Sequence, residues 1–223
     1  MSVAVVVPYR PGPGREGPFM HVTTRLRADG WPVLIADADG DAWCKADAVA
    51  HALDVPMHPD DVVVVHDADV VAEPHALRWA IDAVEEHGRW AIPYRNVERL
   101  AEKDTGVLLE TGALAESPQL TRWPYLGMAG GGIVVLHRDT YDDTPLDRRF
   151  VGWGDEDQAW GWALATLHGT PHRHDAPLTH LWHPHAAPGA RHTASLEAAR
   201  VWRAYRAYRD DPIRMRLLVD GGR

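Results

Sequence analysis

The run VVVVHDADVV (residues 62–71) sets four branched apolar residues directly before a histidine and two aspartates. Val62 to Val65 have the continuous apolar character of a strand covered on both faces, the signature of parallel sheets with helices packed on each side. A bare carboxylate has no place inside such a strand. Moving one out of water costs several kcal/mol unless it is paired or bound to a cation. Asp67 and Asp69 are therefore expected where the strand emerges, at its carboxyl end, which is where open α/β sheets place their ligand crevices.

Reading outward in both directions gives the same class of fold. Val3 to Val7 form an earlier buried strand, ended by Pro8 and the turn-forming PGPG of residues 11–14. A helix is predicted from about Pro18 to Ala28, with Gly30 as its stop, then a strand from Trp31 to Ala36 ending in the acidic ADADGD. Ala48, Val49, Ala52 and Leu53 share one side of the next helix. After residue 71, Leu77, Ala80, Ile81 and Val84 recur at helical spacing, and Trp90 to Pro93 read as a further strand. Strand and helix alternating in this way imply βαβ units and a mostly parallel central sheet flanked by helices.

Between Tyr94 and Tyr125 the periodicity weakens, and the stretch is predicted as a mobile or functional loop holding one short helix. Order returns at GGGIVVLHRD (130–139), a strand approached by three glycines, and a helix follows Gly154. Short strands are predicted near His172 and over Leu178–Trp182, and a last helix from about Ala194 to Tyr208. No repeat or internal boundary is visible. The chain reads as a single domain with a nucleotide-binding half (1–93), the loop (94–125), an acceptor and catalytic half (126–192) and a C-terminal helix (193–223).

The totals narrow the possible functions. A chain of 223 residues buries roughly 70–75% of its unfolded surface and needs no staples. Its one cysteine, Cys44, forms no internal disulfide; no apolar run is long enough to span a membrane, and the N-terminus has no basic leader, so a cytoplasmic protein is expected. A net charge of −9 argues against an extensive nucleic-acid surface, which needs clustered cations.

Three constellations carry chemistry. The D-x-D of Asp67 and Asp69 supplies hard oxygen ligands for Mg²⁺ or Mn²⁺, although two aspartates capping a turn before Pro74 would look the same. In FVGWGDEDQAWGWAL (150–164), acids opening a helix are stabilised by its dipole. That leaves unexplained the preceding Gly-Trp-Gly, which would let a ligand approach the backbone and offer it a flat apolar surface. In LTHLWHPH (178–185), His180, His183 and His185 lie too close together to make a relaxed three-histidine site alone, yet they offer a further metal ligand.

In this order the motifs resemble nucleotide-sugar glycosyltransferases of the GT-A fold, over roughly residues 3 to 185. The likeness is to the branch with family 2 enzymes, β-1,4-galactosyltransferases and polypeptide N-acetylgalactosaminyltransferase catalytic domains. Its most specific part is GGGIVVLHRD followed by LDRRFVGWGDEDQAWGWAL. The resemblance implies a Rossmann-like nucleotide-diphospho-sugar transferase sheet, and it implies that Pro8, Tyr9 and Arg10 contact the nucleoside. Asp37 or Asp39 would also face the nucleoside, Lys45 the phosphates, and Asp67 the ribose. Asp69 would ligate the metal together with His180, or with His183 in its place. Gly131 and Gly132 would line the sugar pocket, Trp153 would be its platform, Glu156 would bind a sugar hydroxyl, and Asp157 would be the base of an inverting enzyme. Asp155 departs from the pattern, standing where a second glycine is usual.

The expectation is thus an Mn²⁺- or Mg²⁺-dependent transfer from a nucleotide sugar, a UDP-sugar first, to the hydroxyl of a glycan, small molecule, protein or modified base. The alternatives are a sugar-phosphate nucleotidyltransferase and a non-catalytic metal- or carbohydrate-binding protein. Against the first, the prolines of PYRPGPGR stiffen the loop that would have to wrap phosphates and remove amide donors from it.

Overall fold

The structure, a computed structural model, describes residues 2–37, 42–152, 154–184 and 196–222. Asp39 and Trp153 lie outside the described residues, as does His185. In chain order the elements are β1 (Val3–Pro8), α1 (Glu16–Ala28), β2 (Val33–Ala36), α2 (Lys45–Ala52), β3 (Val62–His66), β4 (Val70–Ala72), α3 (Pro74–His87) and β5 (Ala91–Ile92). They continue with β6 (Asn96–Arg99), α4 (Glu102–Thr111), β7 (Tyr125–Leu126), β8 (Ile133–His137), α5 (Arg138–Asp143), α6 (Glu156–His168), β9 (His172–Arg173), β10 (Pro177–His180), α7 (Leu196–Tyr208) and α8 (Pro212–Asp220).

A six-stranded sheet runs β2-β1-β3-β8-β5-β9. Successive side chains of a strand point to opposite faces, and Val62, Val63, Val64 and Val65 are all buried, so β3 is covered on both sides as its composition requires. The pairings β1 with β2, β1 with β3 and β5 with β9 are parallel. Only β8 runs against its neighbours β3 and β5. This reversal starts β8 at the carboxyl end of β3, with Gly131 and Gly132 beside Asp67; the Asp67 amide donates to the Gly132 carbonyl at 2.8 Å.

A second, four-stranded sheet has the order β4-β10-β6-β7. It corrects the reading of residues 94–125 as a loop with one short helix, since besides that helix, α4, the stretch holds β6 and leads into β7. Strands of two to four residues are too short for a period-2 pattern to show, and they are stable here because each pairs with a partner distant in sequence. The C-terminal region also differs from expectation. Beyond α7 the chain turns and forms α8, which starts at Pro212 with the Asp211 carboxylate accepting from the Arg214 amide at 3.0 Å. Both ends of α8 had signals, an Asp-Pro start and a glycine after its last residue.

The large hydrophobic core lies around the six-stranded sheet, and a smaller cluster joins α6 to α7 and α8 through Ala159, Ala163, Val201, Tyr205, Met215 and Val219. Among the described residues no helix is long and apolar enough to cross a membrane.

Candidate active site

The carboxyl ends of β1 and β3, the glycines before β8, the N-termini of α2 and α6 and the near edge of the second sheet enclose a cleft of about 340 Å³. This is the size range of small-molecule sites, and it lies at the sheet edge where such sites form. Its lining includes Pro8, Tyr9, Arg10, Lys45, Asp67, Asp69, Gly131, Gly132, Glu156, Asp157, His180 and His183. Most of the predicted residues are thus brought together. Asp37 is exposed beyond β2 and is not among the described residues lining the cleft.

On one wall, Asp69, His180 and His183 place one ligand atom each within 4.8 Å of one another. Their meeting follows from strand register. β10 pairs antiparallel with β4 so that His180 faces Val70, and the Leu181 amide donates to the Asp69 carbonyl at 2.8 Å. The Asp69 carboxylate lies 3.0 Å from His183 Nε2 and 3.9 Å from His180 Nε2. In both histidines Nδ1 is hydrogen-bonded to a backbone carbonyl, His180 to Leu181 at 2.8 Å and His183 to Pro184 at 2.9 Å. Such a bond fixes each ring with Nε2 turned toward the carboxylate, the orientation that metal-ligating imidazoles require.

Electrostatics favour the ligating forms of Asp69 and His180. Burial would raise the Asp69 carboxyl, but His180, His183 and Arg15 together hold it well below the usual carboxylate range. Burial lowers the His180 imidazole, aided by Arg99 and opposed by Asp69, so the ring stays neutral. One carboxylate oxygen and two imidazole nitrogens suit a first-row transition ion such as Mn²⁺ better than Mg²⁺, which favours oxygen.

The opposite wall is built on a buried cation. Lys45, the first residue of α2, is 7% exposed, and its Nζ donates to Asp67 at 2.7 Å and to Asp157 at 2.8 Å. The other Asp67 oxygen accepts the Gly132 amide at 3.0 Å. Lys45 and Asp67, expected at the phosphates and ribose, are thereby engaged with each other and with the wall of the site. Burial raises the Asp157 carboxyl to about 7, against the lowering pull of Lys45 and with the support of Asp67 and Glu156. Burial likewise raises Glu156, whose carboxylate accepts the Gly154 amide at 2.9 Å.

The backbone before α6 is strained. Asp155 has φ 69°, the only non-glycine residue with positive φ among those described, beside Gly152 at 101° and Gly154 at 113°. Conformations of this kind persist where their surroundings over-determine them, and they cluster at ligand sites. Here the strained turn aims the first turn of α6, with Glu156 and Asp157, into the cleft.

Several lining residues escaped the sequence reading. Tyr94 is buried and donates to the carbonyls of Met128 and Gly131, bracing the glycine turn. Arg99 donates to the Tyr125 hydroxyl at 2.7 Å and to His180 Nε2 at 3.1 Å. Arg15 and Trp43 complete the lining beside Arg10 and Lys45. The aromatic-plus-arginine composition of residues 122–125 could have drawn attention to Tyr125; Arg99 had no comparable signal.

No family model matches the chain, and no curated protein matches its sequence. Among solved structures it is similar to glucosyl-3-phosphoglycerate synthase from Mycobacterium tuberculosis. The complex with Mg²⁺ and UDP matches at 14% identity and TM-score 0.49, over 93% of this chain and 79% of that one. The complex with Mn²⁺, UDP and phosphoglyceric acid matches at 15% identity and TM-score 0.48, over 94% and 78%.

Proposed function

We propose that the protein is a divalent-cation-dependent glycosyltransferase of the GT-A type. It would move a sugar from a nucleoside-diphosphate sugar, a UDP-sugar first, to an acceptor hydroxyl. The observation that carries this reading is the pairing, across one cleft, of an Asp69–His180–His183 ligand set with a half-buried carboxylate, Asp157, whose pKa is raised to about 7.

Glycosyl transfer from such a donor requires a diphosphate to depart and an acceptor hydroxyl to lose its proton. Asp69, His180 and His183 would hold a divalent ion, which when bound would supply Lewis acidity to the departing diphosphate. Pro8, the last residue of β1, and Tyr9 and Arg10 after it lie at the near end of the cleft and form the nucleoside end of the site, where Tyr9 stacks on Phe19 at 3.7 Å between ring centroids. The sugar then lies along Gly131 and Gly132, with the Glu156 carboxylate available to its hydroxyls. Asp157 takes the acceptor proton. A base works best when its pKa is close to the working pH, and general base catalysis contributes about 10²–10⁴-fold.

The test is calorimetric binding of UDP, GDP, CDP and dTDP with and without Mn²⁺, on the native protein and on Asp69→Ala. Mn²⁺-dependent binding of one nucleotide, lost in the variant, supports the reading and identifies the donor class. Absence of metal-dependent binding for all of them overturns it.

A further inference from the structure

We propose that Lys45 is a positioning residue: an internal counter-cation that holds Asp157 by one oxygen and presents the other to the acceptor, rather than a contact to the donor phosphates. The inference rests on the reading of Asp157 as the base and deepens it.

The hydrogen bonds around Lys45 define the arrangement. Its ammonium has three protons to donate; one goes to Asp67 Oδ1 at 2.7 Å and one to Asp157 Oδ1 at 2.8 Å. Asp67 has no freedom left, because its second oxygen accepts the Gly132 amide at 3.0 Å. Lys45 is therefore anchored through Asp67 to the start of β8 and cannot follow a substrate phosphate without abandoning two partly buried carboxylates. Such carboxylates, left without their counter-charge, are strongly unfavourable.

The consequence falls on Asp157. With Oδ1 held by Lys45, its Oδ2 lies against Gly131, where an added Cβ would sit 3.0 Å away. Oδ2 accepts no hydrogen bond from the described residues, so it is the oxygen left to receive a proton. A free carboxylate rotates about its Cβ–Cγ bond and presents either oxygen; the Lys45 contact removes that freedom, and preorganisation of this kind is a direct contribution to rate. The other charged or titratable groups facing Asp157 are Asp67 at the end of β3, Glu156 on its own helix and Tyr94 after β5. Among the described residues of that set Lys45 is the only cation, so removing it leaves the carboxyls of Asp67, Glu156 and Asp157 together.

The measurement uses the full chain with Lys45→Met and Lys45→Arg. Three quantities are read: Mn²⁺-dependent diphosphate affinity by calorimetry, kcat and KM for donor turnover (with water as acceptor if need be), and the Asp157 carboxyl titration by ¹³C NMR. For Lys45→Met, diphosphate affinity should stay within about threefold, kcat should fall by about a hundredfold or more, and the Asp157 titration should move to higher pH. Lys45→Arg, which restores the charge, should return the titration toward the native one and recover part of kcat. Should Lys45→Met fail to fold, Lys45→Gln carries the same readouts. The proposal is overturned if Lys45→Met weakens diphosphate binding tenfold or more while the Asp157 titration stays in place, since Lys45 would then be a phosphate contact. If the native protein binds no nucleoside diphosphate, the glycosyltransferase reading fails and the catalytic role with it, whereas the titration still reports whether Lys45 holds Asp157.

Discussion

His180 accepts from Arg99 through the same Nε2 lone pair that a metal would need, because its Nδ1 is committed to the Leu181 carbonyl. Arg99 and a divalent ion therefore compete for one lone pair, and their like charges oppose each other as well. Arg99→Met keeps the apolar stem and removes the competitor, so Mn²⁺ affinity should rise, on the order of tenfold given what partners of metal ligands are worth elsewhere. Titration with Mn²⁺ followed by electron paramagnetic resonance decides this; weaker binding would mean that Arg99 supports His180 rather than competing for it. On the opposite wall, the proposed base Asp157 would work in its ionised form. With its carboxyl raised to about 7, turnover should increase as pH rises through that value and be lost below it. Asp157→Asn should abolish this acid limb and lower kcat by about 10²–10⁴-fold while sparing donor binding. A variant that kept its turnover would exclude Asp157 as the base.

Elements, more than single residues, bring these groups together, and the tightest junction is between the glycine turn before β8 and the first turns of α6. A Cβ on Gly130 would collide with the Asp157 carbonyl and the Gly161 amide, so backbone meets backbone there. At Gly132, with φ 69°, an added Cβ would collide with the Leu178 and Tyr94 side chains. Gly130→Ala must push α6 away from the sheet at a cost of about 1–3 kcal/mol, and turnover should suffer more than metal affinity because Asp157 rides on α6 while Asp69 and His180 do not. Melting temperature and Mn²⁺ titration, measured side by side, separate the two effects; equal losses would argue against this division. The three glycines, the helix after Gly154 and the histidines of 180–183 were legible because each leaves a local mark in the chain: missing Cβ atoms, helical spacing, clustered imidazoles. The valines of β3 likewise marked a strand covered on both faces. The family resemblance implied a place for Lys45 at the phosphates; its burial between Asp67 and Asp157 depends on partners 22 and 112 residues further along the chain and leaves no local mark. The second sheet was hidden for the same reason, its short strands being specified by pairing rather than by pattern.

At the scale of the whole molecule, α6 is packed from two directions. Trp160 and Leu164 face the main core, while Ala159 and Ala163 face the hairpin of α7 and α8. The hairpin is bound by polar contacts as well as by packing. The Tyr205 hydroxyl donates to Asp147 at 3.0 Å, Arg149 joins Asp147 to the Leu218 carbonyl at 2.7 Å, and Arg216 reaches Asp143 at 2.6 Å. A C-terminal unit remote from the cleft thus backs the helix that carries Glu156 and Asp157, and the fold should lose the two together. Met215, fully buried at the centre of that smaller cluster, tests the coupling. Met215→Ala removes packing worth about 2–5 kcal/mol, which for a chain of this length lowers the melting temperature by roughly 4–20 °C. Unfolding should remain one transition, coincident by circular dichroism and by tryptophan fluorescence. Mn²⁺ affinity well below the melt should be unchanged, since Asp69, His180 and His183 are held by the pairing of β4 with β10 and not by α6. A melt that split into two steps, the earlier one removing helical signal while Mn²⁺ stayed bound, would show that α7 and α8 unfold on their own. Asp157, the proposed base, would then be held by the main core alone.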